Sequence, residues 1–415
     1  MSKRHNLSFS EIVWRQFRRD RAAAVALWCM ALAFLLAVFA PVVASNQPFV
    51  FWEDDGRAIY PWFRALFAYD EPVNCLFNMA LVAFIPWLVV AFVQWRRWKI
   101  HKVPSRTRLK RFVRTYLALT VGLTALFAVP QLRPSQLYAS RDFAAEAFES
   151  PGINRVLYPP IPFGPTEQNL TAVFKPPLYR VPVEDRTRTN EAQPHLLGTD
   201  NTGRDVLVLM IYGSRISLTV GFLAVGLYLA IGAVVGAVAG YFGGFVDLTI
   251  SRVIEVVLLF PSFFLILTLV ALLGPSIYII MFVIGITGWP TVARLIRAEV
   301  LRQRALDYVA AARACGASHA RIVFRHLLPN SLGPALVAAP FGVAGAVMTE
   351  AGLSLLGFGV RPPTPSWGTL LQLGSANYNY WWLIVVPSLA ILAIVTIFNL
   401  VGNGLRDAMD PKLRR

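Results

Sequence analysis

The chain is short of most of what a soluble catalyst needs. Only 15% of its 415 residues are charged, acids number 23 against 39 Lys and Arg, and there are 3 cysteines and 5 histidines. Cys29, Cys75 and Cys315 form no CxxC pair, so neither a disulfide nor a thiolate metal site is read from them. His5, His101, His195, His319 and His326 are scattered, and only the last two lie near each other, too few for zinc. No GxxxxGK[ST] occurs, which excludes a P-loop phosphate cradle and ATP hydrolysis by this chain alone. No HExxH occurs either. The nearest approach to a nucleophile elbow, Gly352 to Gly357 around Ser354, misses the GxSxG spacing and sits in apolar text. No catalytic, cofactor-binding or metal-binding residue is expected.

What the chain has is apolar length. With 56% hydrophobic residues and a mean hydropathy of +0.54, it reads as an all-α integral membrane protein. Its net charge of +16 would suit nucleic acid, but the basic residues cluster beside apolar runs. That is the positive-inside pattern, so membrane lipid rather than nucleic acid is the expected partner. At about 20 apolar residues per crossing, eight spans are read. They are Ala22–Ala44, Asn74–Val93, Phe112–Val129, Ile216–Gly240, Leu248–Leu273, Ile277–Leu295, Leu332–Leu356 and Trp381–Val401. Arg15, Arg18, Arg19 and Arg21 before the first span also fit a cleaved leader. That run is too long and no A-x-A site closes it, so a retained anchor is expected. The dense basic text RRWKIHKVPSRTRLKR between spans two and three belongs in the cytoplasm. Eight crossings then put both termini inside.

Gln131–Met210 is long, mixed in charge and rich in proline, including Pro151, Pro159, Pro160, Pro162, Pro165, Pro176 and Pro177. It reads as an external loop, either a tether or a small platform for an outside partner. Trp52, Tyr60, Trp62 and Tyr69 fit an interfacial aromatic belt. Gly232, Gly236 and Gly240 recur every fourth residue, a spacing that lets helix backbones approach within the chain or at a subunit interface. Charges inside the spans are few. Arg252 and Glu255, three apart, can satisfy each other. Glu350 is a candidate pathway acid or a structural acid bonded to Thr349 or nearby backbone.

One segment is too charged to cross a bilayer. DYVAAARACGASHARIVFRHLLP, from Asp307 to Pro329, reads as an Ala-rich helix from Tyr308 to Cys315, stopped by Gly316. A second helical piece, Ala317–Leu328, follows with Arg321, Arg325 and His326 on one side, and Pro329 marks the start of the next membrane helix. The eight-span count places this elbow inside, where a rigid knob suits pushing by another protein.

These residues carry a resemblance. LLGTDNTGRDVLVLMIYGSRISLTVG (Leu196–Gly221), AGYFGGFVD, LLFPSFFL, the elbow and LSLLGFGVRPPTPSWGTLL follow in that order through the C-terminal half. Together they resemble the second permease subunit of bacterial dipeptide/oligopeptide ABC importers. The resemblance implies a six-helix-type permease bundle, here with an extra hairpin at 74–129. It implies an inner-membrane location and import of peptides or peptide-like solutes. The implied partners are a second permease subunit, two ATP-binding cassette ATPase subunits and an external solute-binding protein. By the same resemblance Ala310, Ala311, Ala312 and Gly316 hold the EAA---G positions of the ATPase-coupling loop, and Leu328 and Pro329 close it. The family's leading Glu is Ala310 here, so Arg313, with Arg321, is left to supply polar contact. The text around NQPFVFWEDDGRAIYPWF resembles the subgroup handling longer peptides.

The expected organisation is an anchor and added hairpin (1–130), the external loop (131–210), the permease domain (211–405, elbow 300–329) and a cytoplasmic tail (406–415). A rival reading is an ATPase-independent channel or receptor with an external sensing loop. An intramembrane hydrolase using Ser354 or His326 lacks a partner for either residue.

Overall fold

The computed structural model describes residues 9–53, 57–67, 71–100, 105–129, 141–149 and 155–410. His5, His101, Tyr69, the opening of the Pro-rich stretch with Pro151, and the end of the tail lie outside them. The chain is mostly helical. Asp20 accepts hydrogen bonds from Ala22 N and Ala23 N at 2.9 and 3.2 Å and so starts a helix cleanly. A short helix α1 (Phe9–Phe17) precedes it, and α2 (Arg21–Val38) follows. The expected first span does not run straight to Ala44: it breaks at Phe39, and Pro41 opens the separate turn α3 (Ala40–Val43).

After α4 (Pro61–Ala65) come α5 (Pro72–Ile100) and α6 (Ser105–Ala128). Tyr116 donates to Ala80 O at 2.9 Å and Trp87 Nε1 to Phe112 O at 3.0 Å, so the two run side by side in opposite directions. They form a hairpin over the stretch expected to carry one. It leans on the rest through Val73 and Phe77, which join the main core.

The described part of the Pro-rich stretch is folded rather than slack. Strand β1 (Val50–Trp52) pairs antiparallel with β2 (Ala58–Ile59) on one edge and β3 (Arg155–Leu157) on the other. The Phe51 ring on β1 packs tilted against Phe143 of α7 (Phe143–Glu149), with centroids 5.0 Å apart and both residues buried. Residues on either side of position 130 therefore share one small sheet. The aromatic belt is also partly claimed by this cap, since Trp62 Nε1 donates to Pro41 O and its ring packs on Phe49.

The long helix α8 (Val206–Phe242) begins before the expected boundary at 210, because Asp205 caps it by accepting from Val208 N at 3.0 Å. Next come α9 (Gly244–Leu259) and α10 (Ser262–Leu273), which meet at 82°. The expected single span Leu248–Leu273 is broken there because Pro261 lacks an N–H and forces Phe260 into extended backbone. Then come α11 (Ile277–Gln303), α12 (Asp307–Ala314), α13 (His319–Arg321), a π-helical turn (Ile322–Leu327), α14 (Leu328–Ser331), α15 (Gly333–Leu355), α16 (Trp367–Ala376) and α17 (Trp382–Met409).

Among the described residues, 6 helices are long and apolar enough to cross a membrane: α2, α5, α8, α11, α15 and α17. The α9–α10 pair makes a seventh if it counts as one span. The expected third span, Phe112–Val129, falls mostly in α6, whose first half carries Lys110, Arg111 and Arg114. Arg252 and Glu255 do pair, at 2.6 Å on the exposed side of α9.

The core is built by α8 with α11, α15 and α17. Gly232, Gly236 and Gly240 face α11. A Cβ on Gly232 or Gly240 would sit 2.7 or 2.8 Å from the carbonyl of Trp289 or Arg297, and one on Gly236 would run into Ala293 O. The glycine stripe thus serves packing inside the chain. Gly236→Val should destabilise the protein by about 1–3 kcal/mol through overpacking, seen as a lower thermal midpoint in detergent. Gly226→Ala, where a Cβ meets nothing within 4 Å, should be neutral or mildly stabilising by the same measurement.

Candidate functional site

The elbow of residues 307–331 is a bent pair of short helices seated on the ends of α8 and α11. Helix α12 ends at Ala314, and Gly316 follows at φ +75°, the left-handed backbone that glycine adopts without strain. Ala317 N then reaches back to Ala312 O at 3.0 Å, closing the helix end in the way a C-terminal glycine allows. Ser318 starts the second arm by accepting from Arg321 N at 3.3 Å. That arm is not the simple helix expected over Ala317–Leu328. It passes through the π-turn, and Pro329 sits in the first turn of the one-turn α14, with the next long helix beginning only at Gly333.

The apolar side of the elbow is buried. Val309, Ile322, Val323 and Leu327 join one cluster with Ala233, Ala237 and Tyr241 of α8 and Val292, Ile296 and Val300 of α11. Polar contacts fix the same joint. Tyr241 Oη and His319 Nδ1 lie 2.7 Å apart, and the Arg313 guanidinium stands 5.4 Å over the Tyr241 ring. Tyr308 donates to Gln303 Oε1 at 2.7 Å, and Arg304 donates to the carbonyls of Gly240 and Tyr241 at 3.1 and 3.2 Å. Arg313 therefore directs its charge at Tyr241 of this chain.

The opposite side faces outward. Ala310, Ala311, Gly316, Arg321 and Pro329 are exposed, Ala312 and Leu328 are half-buried, and Phe324 is 50% exposed beside Arg321 and Arg325. The outward side is a small-residue surface with one bare aromatic, backed by two long helices.

Glu350 is elsewhere, fully buried at 0% exposure on α15. Its expected neighbour Thr349 turns away and donates to Gly345 O. Three serines serve instead: Ser354 and Ser366 donate to Oε1 at 2.9 Å each, and Ser217 to Oε2 at 3.4 Å. They come from α15, the start of α16 and α8, so the carboxylate ties three elements. Ser354 thereby donates to a buried acid at the junction of these elements. Among the described residues, no three His, Cys, Asp or Glu side chains gather where a metal could sit.

Two polar sites were missed in the sequence. Arg215 is fully buried on α8 and donates to Ala37 O at 2.7 Å, Val38 O at 3.4 Å, and the side-chain oxygens of Asn78 and Asn74 at 2.9 and 3.3 Å. Drawing the span from Ile216 left it just outside the intramembrane charges, although α8 runs unbroken through it. His195 and Asp205 form a buried pair at 2.9 Å beneath the cap, with His195 stacked on Phe163. Nothing in their spacing marks them as partners.

Comparison with known proteins follows the same outline. Residues 232–415 match the family described as "Binding-protein-dependent transport system inner membrane component". Residues 8–58 match the "N-terminal TM domain of oligopeptide transport permease C". The dipeptide transport system permease protein DppC of Haemophilus influenzae is 41% identical over 259 residues, 61% of this chain and 84% of that one. DppC of Escherichia coli K12 is 44% identical over 255 residues, 61% of this chain and 82% of its own. The oligopeptide transport system permease protein OppC of H. influenzae is 39% identical over 221 residues, 53% of this chain and 71% of that protein. Among solved structures, an inward-facing MetNI methionine ABC transporter matches at 20% identity with a TM-score of 0.40, over 49% of this chain and 98% of its own. The chain belongs to the family of binding-protein-dependent transport system inner membrane components.

Proposed function

We propose that this chain is the permease subunit of an ABC importer that moves di- or oligopeptides, or peptide-like solutes, across the bacterial inner membrane. Both termini and the elbow lie in the cytoplasm, and the sheet-bearing cap lies outside. It works beside a second permease subunit, with two separate ATPase subunits supplying the energy and an external solute-binding protein delivering the cargo. The names of the relatives support the peptide reading, and the absence of a P-loop supports separate ATPases.

The observation that carries the mechanism is the seating of the elbow: an exposed Ala-rich face backed by an apolar joint to α8 and α11. Closure of the ATPase pair moves the elbow as one body. Motion passes through Tyr241 and the Val292–Ile296–Val300 face into helices locked by the glycine stripe. Transport is then a two-state equilibrium of the bundle, which ATP shifts only through its different affinity for the two states. Glu350 holds α8, α15 and α16 together and is treated as a structural acid of the moving unit.

Co-purification tests the assembly. A nucleotide-hydrolysing subunit should come with this chain from native membranes, and uptake that persists in vesicles without any nucleotide hydrolysis would falsify the reading. Two substitutions test the elbow. Gly316 has open space around it and a positive φ, so Gly316→Ala should cost about 1 kcal/mol through the backbone alone. Gly316→Asp should leave insertion intact but uncouple ATP hydrolysis from uptake. A tenfold fall in uptake would correspond to about 1.4 kcal/mol of coupling. Tyr241→Phe removes the bond to His319 and should destabilise the joint by about 1 kcal/mol, lowering uptake more than ATP hydrolysis. Equal losses in both activities would count against transmission through this joint.

A further inference from the structure

A cavity of about 230 Å³ lies where the α2–α3 break, the added hairpin, α8 and the cap meet. Its wall includes Asn74, Asn78, Gln47, Thr166 and Thr364, and Arg215 meets it with a side chain that is 0% exposed. Arg215 carries the charge, and none of its partners answers it. Two are carbonyls at the end of α2 and two are amide oxygens of α5, all neutral. Among the described residues it pairs with no carboxylate. A guanidinium has five N–H groups, and these four acceptors leave one donor over. A cation taken this far from water is normally met by an opposite charge. The carbonyls at a helix C-terminus and the Phe77 and Tyr212 rings, 5.3 and 5.1 Å away, soften the cost without supplying that charge.

The rest of the wall is suited to oxygen atoms. The side chains of Gln47, Thr166 and Thr364 and the amide nitrogen of Asn74 have no hydrogen-bond partner among the described residues. The cap just beyond is different. Arg141 pairs with Glu53 and Glu146, and Arg188 with Asp142 and Glu167, so those cations are already matched by acids.

We propose that this cavity binds a small oxyanion, a carboxylate or phosphate group, whose charge answers Arg215 and whose oxygens are held by the Gln47, Thr166 and Thr364 side chains. The volume has room for acetate or inorganic phosphate together with water. The proposal concerns the junction between the hairpin and α8 and does not depend on what the transporter carries.

The test uses the full chain in detergent with whatever subunits accompany it. Its thermal midpoint is titrated with sodium acetate and with sodium phosphate, against acetamide and sodium chloride at matched ionic strength. The expected result is a saturable rise with an oxyanion and none with acetamide or chloride, as ligand binding to the folded state requires. A response to acetate alone assigns a carboxylate, and one to phosphate alone a phosphate group. Ala65→Phe, which fills the cavity, and Thr364→Val, which removes a donor, should each weaken the apparent affinity by about tenfold or more. Arg215→Gln should abolish the response if it folds; if it does not, the two wall variants decide. No rise with either oxyanion, an equal rise with chloride, or a response that survives Ala65→Phe overturns the proposal.

Discussion

The close approach of α8 and α11 is the constraint on which the rest depends. In a bilayer there is little hydrophobic drive between helices, so packing must come from van der Waals fit and backbone proximity. Gly232, Gly236 and Gly240 give α8 a smooth side, and the carbonyls of Trp289, Ala293 and Arg297 come within the space a side chain would take. That contact brings Tyr241 and Val300 together at the same end of the bundle. The elbow has a floor to stand on only because the two helices end side by side. Its buried residues pack on both, and Arg304 stitches the end of α11 to the last carbonyls of α8.

Polar pins then join elements that apolar packing alone would leave free to slide. Glu350 gathers serines from α8, α15 and α16. Arg215 gathers the broken end of α2 and the hairpin. Trp367 and Trp382 do similar work from the other side, donating to Met210 O and Thr199 O and fastening α16 and α17 to α8 and the cap. Each pin crosses between distant parts of the chain, and each satisfies groups that would be costly to bury alone. Under the proposed function, the unit that moves is this pinned bundle, with the elbow as its handle.

Much of this was legible beforehand. The elbow was readable because charge, Ala content and a single glycine sit together in text otherwise too apolar for them, and Gly316 has the backbone that its position implied. The glycine stripe was legible as spacing but not as to which neighbour it faced. Other features were hidden because they depend on breaks and partners. Pro41 and Pro261 lie within apolar runs, so hydropathy drew straight spans through bends. The Pro-rich stretch read as a loop because its β3 pairs with β1, a strand far earlier in the chain.

The sequence by itself determined the membrane class, the family and the position of the elbow, because these rest on composition and contiguous patterns. Tertiary structure decided what each buried polar group meets: Glu350 with three serines, His195 with Asp205, and Arg215 with a helix end and a cavity. The reason is physical. A hydropathy pattern records how much water a segment avoids, whereas a buried charge is settled by whichever dipoles the fold brings within about 3 Å, and those lie far away along the chain.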